Sequence, residues 1–172
     1  PASFTLYLRY PGWARSAELH LQGQSAPIEA APGSYIALQR TWEPGNTVTL
    51  DFPMPVEKVL GHPRVVTNAG RIALMRGPIV YCIEQVDHPD ADLFRIALPA
   101  EAELEASFEP ELLGGVTVLR GQALELAWDE ELYASVDAAV HQMARTVEFT
   151  AIPYFAWANR AAGAMRVWIP YL

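Results

Sequence analysis

Short runs of alternating apolar and polar residues, each ended by glycine or proline, constrain the fold of this chain more than any other feature. In residues 4–10, Phe4, Leu6 and Leu8 alternate with more polar neighbours until Pro11-Gly12 stops the run. Period-two alternation is typical of β-strands, whose successive side chains point to opposite faces. Further strands are predicted at 18–22, 34–40, 47–52, 71–76, 78–84, 93–98, 116–119, 123–127, 145–152 and 164–169. The pattern therefore predicts an all-β fold.

A proline-rich stretch divides this pattern. Residues 53–68 contain Pro53, Pro55 and Pro63 and are interpreted as an extended connection. We therefore predict two small, jelly-roll-like β-sandwich modules, at 1–60 and 61–172. A single sandwich spanning the whole chain is the alternative.

One segment has the spacing of a helix instead. Leu132, Val136, Val140 and Met143 recur every three or four residues, and three acids at 129–131 precede them. Acidic residues in the first turn complement the helix dipole. A short helix near 129–142 and a loop insertion fit this segment equally well.

The charge of the chain restricts its partners. Twenty acidic and 12 basic residues give a formal net charge of −8, and no basic stripe is present. Nucleic-acid binding is therefore not expected, because it depends on clustered Lys and Arg. No apolar run approaches the roughly 20 residues that span a bilayer. The chain starts without a methionine or a signal peptide, and both ends look cut from a longer polypeptide, so cytoplasmic, periplasmic and secreted locations stay open.

Residues with reactive side chains give little support for catalysis or metal binding. Cys82, the only cysteine, lies in the most apolar run and is interpreted as a buried structural residue. None of the four histidines has a metal-ligand spacing. The acidic segment at 87–92 lacks a calcium-loop pattern and is interpreted as a solvated turn. We predict no catalytic residue and no metal or other cofactor in this chain.

Glycoside hydrolysis usually needs two carboxyl groups about 5–10 Å apart in a cleft. The candidate carboxyl groups are Asp51, Glu57, Glu84 and Glu148. Nothing in the sequence marks any two of them as a pair. Glu84 ends a buried strand and is a candidate partner for Arg76 or Arg160.

Five tryptophans are many for a chain of 172 residues. Exposed aromatic faces stack on sugar rings, but β-sandwiches also bury large aromatics in their cores and at domain contacts. Burial is the more common outcome for most of them. Trp13 and Trp128, which are predicted to lie in loops, are the candidate sugar-binding platforms.

Four blocks of sequence together resemble a known family. They are FTLYLRYPGWA at 4–14, YIALQRTWEPG at 35–45, GRIALMRGPIVYCIE at 70–84 and AIPYFAWANRAAGAMRVWI at 151–169. In this order they resemble the carboxy-terminal region of glycoside hydrolase family 127, the β-L-arabinofuranosidase family. The resemblance is weakest over about 88–145.

The resemblance implies a larger bacterial enzyme with an amino-terminal (α/α) barrel followed by two β-sandwich domains. In that family a cysteine nucleophile, a zinc ion held by cysteines and a glutamate, and an acid/base glutamate all belong to the barrel. Cys82 does not lie in the nucleophile motif, so no catalytic role is transferred to it. The motif residues expected to be structural are Arg76, Gly77, Pro78, Tyr81, Pro153, Tyr154, Trp157, Asn159 and Arg160.

The leading hypothesis is a non-catalytic region that packs on an upstream catalytic barrel of the same protein. An autonomous carbohydrate-binding module for plant-type, arabinose-containing glycans is the alternative. A complete small enzyme is disfavoured, because no catalytic constellation is recognisable. A contact between two copies in a homodimer is a further candidate role.

Overall fold

The computed structural model describes residues 1–127, 132–133, 135 and 144–172. Within these ranges every regular element longer than three residues is a β-strand, and the helical turns are 3₁₀ segments of three residues. The predicted all-β class is therefore confirmed. The proposed helix at 129–142 lies, apart from three isolated positions, outside the described residues. No helix in the described part of the chain is long and apolar enough to cross a membrane.

The chain divides into two compact units, 1–55 and 56–172. The division therefore lies a few residues before the position expected from the prolines. Residues 56–60, assigned to the connection from sequence, form a strand that pairs with residues 72–76 of the second unit. The flanking prolines hid this strand, and its apolar residues Val56, Val59 and Leu60 do not alternate with polar ones.

The first unit consists of two small antiparallel sheets. One sheet pairs β1 with β4, and the other has the order β3-β2-β5. The five strands are β1 (Ala2–Arg9), β2 (Glu18–Leu21), β3 (Gln24–Ala26), β4 (Tyr35–Trp42) and β5 (Val48–Asp51). Leu19 from the second sheet and Ile36 from the first are buried in one cluster, so the sheets pack face to face.

The turn before β5 forms as its sequence requires. Gly45 has a φ of +88°, a conformation that glycine adopts without steric cost. The side chain of Asn46 accepts a hydrogen bond from the Glu43 amide at 3.1 Å, and the Asn46 amide donates to the Glu43 carbonyl at 3.1 Å. This closed turn returns the chain into β5.

The second unit is built on one nine-stranded sheet with the central order β10-β11-β12-β8-β7-β14. Three further strands pair at its sides: β6 on β7, β9 on β11 and β13 on β8. The nine strands are β6 (Val56–Leu60), β7 (Arg71–Arg76), β8 (Ile79–Glu84), β9 (Ile96–Ala97), β10 (Leu104–Glu109), β11 (Val116–Glu125), β12 (Arg145–Pro153), β13 (Met165–Arg166) and β14 (Ile169–Pro170). Strand β8 pairs with β7, β12 and β13, and β7 and β11 likewise pair with three strands each.

Several predicted strands of the second unit differ in the structure. The run 93–98 starts as a 3₁₀ turn, Leu93–Arg95, because the Asp92 carboxylate accepts the Phe94 amide at 2.9 Å and caps it. The runs 116–119 and 123–127 form one continuous strand, β11. The run 164–169 is split into β13 and β14.

The core of the second unit lies against β7, β8, β11 and β12. Tyr81, Ile83 and Phe149 belong to its largest cluster and are almost completely buried. A second cluster joins Cys82, Val118 and Ile152 to Ala156, which lies three residues beyond the end of β12. This second cluster fixes the segment that leaves β12.

Candidate functional site

The segment that follows β12 turns sharply and exposes three aromatic side chains. Pro153 ends the strand, and Tyr154–Ala156 form a 3₁₀ turn. Phe155 is 72% exposed, and Tyr154 and Trp157 are each exposed by more than two fifths. The rings of Tyr154 and Trp157 stack with centroids 5.8 Å apart and an interplanar angle of 15°. We call Tyr154, Phe155 and Trp157 the aromatic corner.

A group of charged side chains lies next to the aromatic corner. The Arg160 guanidinium donates from Nη1 and Nη2 to the two carboxylate oxygens of Asp87, each at 2.6 Å. Nη2 also donates to Glu84 Oε2 at 2.6 Å. Of the two arginines considered as partners of Glu84, Arg160 is therefore the one that contacts it. We call Glu84, Asp87 and Arg160 the ion-pair cluster.

The ion-pair cluster is well shielded from water. Glu84 is 3% exposed, although its side chain carries a carboxylate. The hydrogen bonds from Arg160, above all those to Asp87, raise the pKa of the guanidinium, so it stays charged. A buried carboxylate needs such partners, because an unpaired charge is strongly disfavoured away from water.

Glu84 also holds the backbone of the corner. Its Oε1 atom accepts the Ala158 amide at 3.0 Å. Ala158 has a φ of +62°, a left-handed conformation that is unusual for an alanine. The Asn159 side chain donates to the carbonyls of Ala156 and Trp157, both at 3.1 Å. These contacts hold the aromatic corner in one conformation.

Neighbouring side chains complete the hydrogen bonding below the cluster. His88 contacts the Glu84 carbonyl through Nδ1 at 2.8 Å and accepts the Thr150 amide at Nε2 at 3.3 Å. This pair of partners fits the neutral ring with its proton on Nδ1. Gln85 donates to the carbonyls of His88 and Ala91. His88 is therefore held by backbone groups rather than placed as a base.

Cys82 is inert in this setting. Its side chain is fully buried, and burial, together with nearby Glu84, raises the pKa of the thiol to about 12. The thiol is therefore protonated at neutral pH, whereas a nucleophilic cysteine needs its thiolate. A zinc site of the kind implied for the family barrel does not fit these residues, since Cys82 is the only cysteine of the chain. Among the described residues, no group of three or more His, Cys, Asp and Glu could hold a metal ion.

Residues 87–91 of the acidic segment line a surface cavity of about 230 Å³. The carboxylates of Asp87 and Asp92 and the carbonyl of Asp90 have protein partners. Asp87 binds Arg160, Asp92 caps the turn at Phe94, and the Asp90 carbonyl accepts a hydrogen bond from Arg145. Of the other candidate carboxyl residues, Glu148 lines the same cavity. Asp51 lies opposite Glu18 in the backbone ladder between β2 and β5.

The other motif residues lie at the β7–β8 hairpin. Arg76 ends β7, and Gly77 and Pro78 form the turn, with a φ of +58° at Gly77. Tyr81 is 1% exposed within the largest core cluster, and burial raises the pKa of its hydroxyl. These residues shape the fold of the second unit and do not line the aromatic corner.

The structure describes one of the two candidate sugar platforms, Trp13. Trp13 is 36% exposed and packs edge-on against Phe52, with centroids 5.6 Å apart. Trp128 lies outside the described residues. The aromatic corner contains one further tryptophan, Trp157, which the sequence marked as structural.

Comparison with known proteins places both units in one family. The model of the glycoside hydrolase family 127 C-terminal domain matches residues 56–170, and that of the β-L-arabinofuranosidase GH127 middle domain matches residues 1–54. The chain belongs to glycoside hydrolase family 127. The boundary between the two matches coincides with the division between the two structural units.

Relatives of known activity are much longer than this family 127 chain. It is 36% identical over 167 residues to a non-reducing end β-L-arabinofuranosidase of Bifidobacterium longum, covering 93% of this chain and 25% of the relative. A crystal structure of a family 127 β-L-arabinofuranosidase from Geobacillus stearothermophilus T6 is 44% identical, with a TM-score of 0.87 over 99% of this chain and 27% of the other. A third relative, a family 127 β-arabinofuranosidase, is 31% identical with a TM-score of 0.85, covering 99% of this chain and 28% of the other. The chain thus spans about a quarter of the length of these enzymes.

Proposed function

We propose that this chain is the non-catalytic, carboxy-terminal scaffold of a β-L-arabinofuranosidase-type enzyme and packs on an upstream catalytic barrel. The observation that carries the proposal is that the middle and C-terminal domain models together account for residues 1–54 and 56–170. Almost nothing is left over for a catalytic domain. The residues with reactive side chains support this, because Cys82 is buried and Glu84 is engaged by Arg160.

The aromatic corner is the proposed contact with the barrel. Three neighbouring aromatic side chains with this exposure form the kind of apolar patch that usually marks a protein contact. The ion-pair cluster and the Asn159 hydrogen bonds hold the patch rigid, so docking needs little further ordering. The corner offers no charged side chain of its own to a sugar.

A chimera tests this proposal. We expect the Bifidobacterium longum enzyme to keep its hydrolysis of an aryl β-L-arabinofuranoside when this chain replaces its matched quarter. The same enzyme with its matched quarter deleted and not replaced should lose soluble, active protein, because its barrel would expose the surface that the scaffold covers. The 172-residue chain by itself should hydrolyse nothing. Turnover by the isolated chain that persists through repurification would contradict the proposal.

Two exposed phenylalanines provide a matched test of the role of the aromatic corner in the contact with the barrel. In the chimera, Phe155→Ser should lower the yield of active enzyme roughly tenfold, as the loss of a central contact residue does at protein interfaces. Phe108→Ser is the control, since Phe108 is similarly exposed, at 65%, on β10. Equal yields from the two variants would remove the corner from the contact.

Carbohydrate binding is a second candidate, favoured by the partly exposed ring of Trp13. Under this proposal, arabinose-containing plant oligosaccharides stack on that ring, and titration changes the tryptophan fluorescence saturably. Trp13→Ala should abolish the change. A flat response from folded protein would leave the scaffold role alone. A contact between two copies of this chain in a homodimer is proposed as a further role. The mass of the protein in solution tests it.

A further inference from the structure

Two arginines of the second unit have no acidic partner. Arg166 in β13 donates from Nη1 to the Phe94 carbonyl at 2.9 Å. Arg71, the first residue of β7, donates from Nη1 to the Thr67 carbonyl at 3.2 Å. Among the described residues, neither guanidinium forms an ion pair with a carboxylate. Both keep N–H groups without a charged partner, because a guanidinium carries five such donors.

The strand pairing brings the two arginines to the same end of the sheet. Arg166 pairs with Ile83, near the end of β8. The β7–β8 hairpin pairs Met75 with Val80. In an antiparallel hairpin this register places the start of β7, and with it Arg71, level with the end of β8. The two positive charges are therefore neighbours.

The electrostatic setting of Arg166 favours a bound anion. Burial, and after it the charge of Arg71, lowers the pKa of the Arg166 guanidinium. Asp92 acts in the opposite direction, but its carboxylate already accepts the Phe94 amide at 2.9 Å and lies 3.4 Å from Arg95 Nε. A carboxylate placed between Arg71 and Arg166 would offset their repulsion and accept hydrogen bonds from both.

An exposed aromatic ring lies beside these charges. The Arg166 guanidinium lies over the ring of Phe94, 5.6 Å from its centroid. Phe94 is nevertheless 65% exposed, so much of its ring is open to water. An aromatic ring of this kind offers an apolar surface to the C–H groups of a sugar. We call Arg71, Phe94 and Arg166 the arginine–phenylalanine patch.

The size of the patch favours a small ligand. One ring and two guanidiniums match a single sugar residue that carries one carboxylate. A stable contact between two proteins buries about 800 Å² on each partner, which is far more than three side chains supply. The aromatic corner, in contrast, has three neighbouring rings and no charged side chain of its own.

We propose that the arginine–phenylalanine patch binds an acidic sugar, a uronate. The carboxylate accepts hydrogen bonds from Arg71 and Arg166, and the sugar ring packs on the exposed part of Phe94. A neutral sugar contacts the ring alone, so the charge supplies the selectivity. The inference does not depend on the scaffold role. It is also independent of the Trp13 platform, which belongs to the first unit.

Calorimetric titration of the 172-residue chain with galacturonate and with galactose tests the proposal. The two sugars differ in one group, a carboxylate in the first and a hydroxymethyl group in the second. We expect galacturonate to bind about tenfold more tightly, because hydrogen bonds to a charged group contribute more than those between neutral groups. Equal affinities, or no binding of galacturonate, would overturn the proposal.

A charge substitution locates the carboxylate. Arg71→Met should weaken the binding of galacturonate about tenfold and leave that of galactose unchanged, because only the acidic sugar uses the guanidinium. Arg120→Met is the matched control, since it removes the same charge from an exposed position elsewhere on the second unit. Equal losses of galacturonate binding in the two variants would show that only the overall charge matters and would overturn the site.

A ring substitution tests the sugar contact separately. Phe94→Leu keeps an apolar side chain but removes the ring, so both sugars should bind about threefold more weakly. Phe108→Leu is the control, because Phe108 is also 65% exposed. Both phenylalanines are exposed, so this pair decides the proposal even if Arg71→Met does not fold. Unchanged galacturonate binding in Phe94→Leu would remove the ring from the site.

Two further outcomes would identify a different ligand. Acetate that binds as tightly as galacturonate would show a general carboxylate site to which the sugar contributes nothing. Equal binding of galacturonate by the active chimera with and without Arg71→Met would show that the barrel covers the arginines. A carboxylate of the protein would then be the occupant, and the uronate would be excluded.

Discussion

Replacing Arg160 with methionine should lower the free energy of unfolding of the second unit by about 3–5 kcal/mol. The substitution leaves the Glu84 carboxylate buried at 3% exposure with only the Ala158 amide as a partner. It also removes both hydrogen bonds to Asp87. Urea denaturation followed by circular dichroism measures the change. Fluorescence of Trp157 should shift as well, because the corner loses its anchor.

The surface pair of Arg120 and Glu109 is the matched control. Its side chains are 52% and 32% exposed, so Arg120→Met should cost less than about 1 kcal/mol. Glu84→Gln should cost about 1–2 kcal/mol, because the amide still accepts from Ala158 and Arg160 keeps Asp87. The double variant Arg160→Met/Glu84→Gln should cost less than the sum of the single changes, since no buried charge remains at position 84. A loss for Arg160→Met no larger than that for Arg120→Met would show that the cluster contributes no more than a surface pair.

The sequence predicted those strands whose alternation is long enough to be recognised alone. Strands β1, β4, β7, β8 and β12 lie close to their predicted positions, because each carries either apolar residues at period two or, in β8, an almost continuous apolar run. Strands β3 and β10 were not predicted, and β6 was assigned to a connection. Each of these is short or poorly apolar and is stabilised by pairing with a neighbour, which a local pattern does not report.

The candidate site was predictable only in part, for a related reason. Glu84 was singled out as the partner of Arg76 or Arg160, because a strand-ending acid in an apolar run needs a cation. Asp87 was interpreted as part of a solvated turn, although it lies in the same cluster. Residues 87 and 160 are separated by 73 positions, and the sheet order β12-β8 brings them together. Long-range contacts of this kind leave no periodic signal.

Gly121→Ala, which adds a single methyl group, has the second-largest expected effect on the free energy of unfolding, after Arg160→Met. Gly121 lies within β11, opposite Leu104 on one side and Phe149 on the other. A Cβ atom there would lie 2.5 Å from the Glu103 carbonyl oxygen and 2.7 Å from Leu104 Cδ2. The oxygen belongs to the backbone, so β10 would have to move. We expect Gly121→Ala to lower the free energy of unfolding by about 1–3 kcal/mol, as overpacking does in other cores.

Gly61→Ala separates this steric effect from the general effect of replacing glycine. A Cβ atom at position 61 would lie 3.4 Å from Asn68 Cβ, an ordinary contact, and both glycines belong to the second unit. Gly61→Ala should therefore change the stability by no more than about 1 kcal/mol, with a gain from the reduced entropy of the unfolded chain. Amide exchange in β10 should accelerate in Gly121→Ala alone, because only there is the β10–β11 ladder pushed apart. If Gly121→Ala were as stable as Gly61→Ala, the start of β10 would be free to shift, and the glycine would not be needed for the close approach of the two strands.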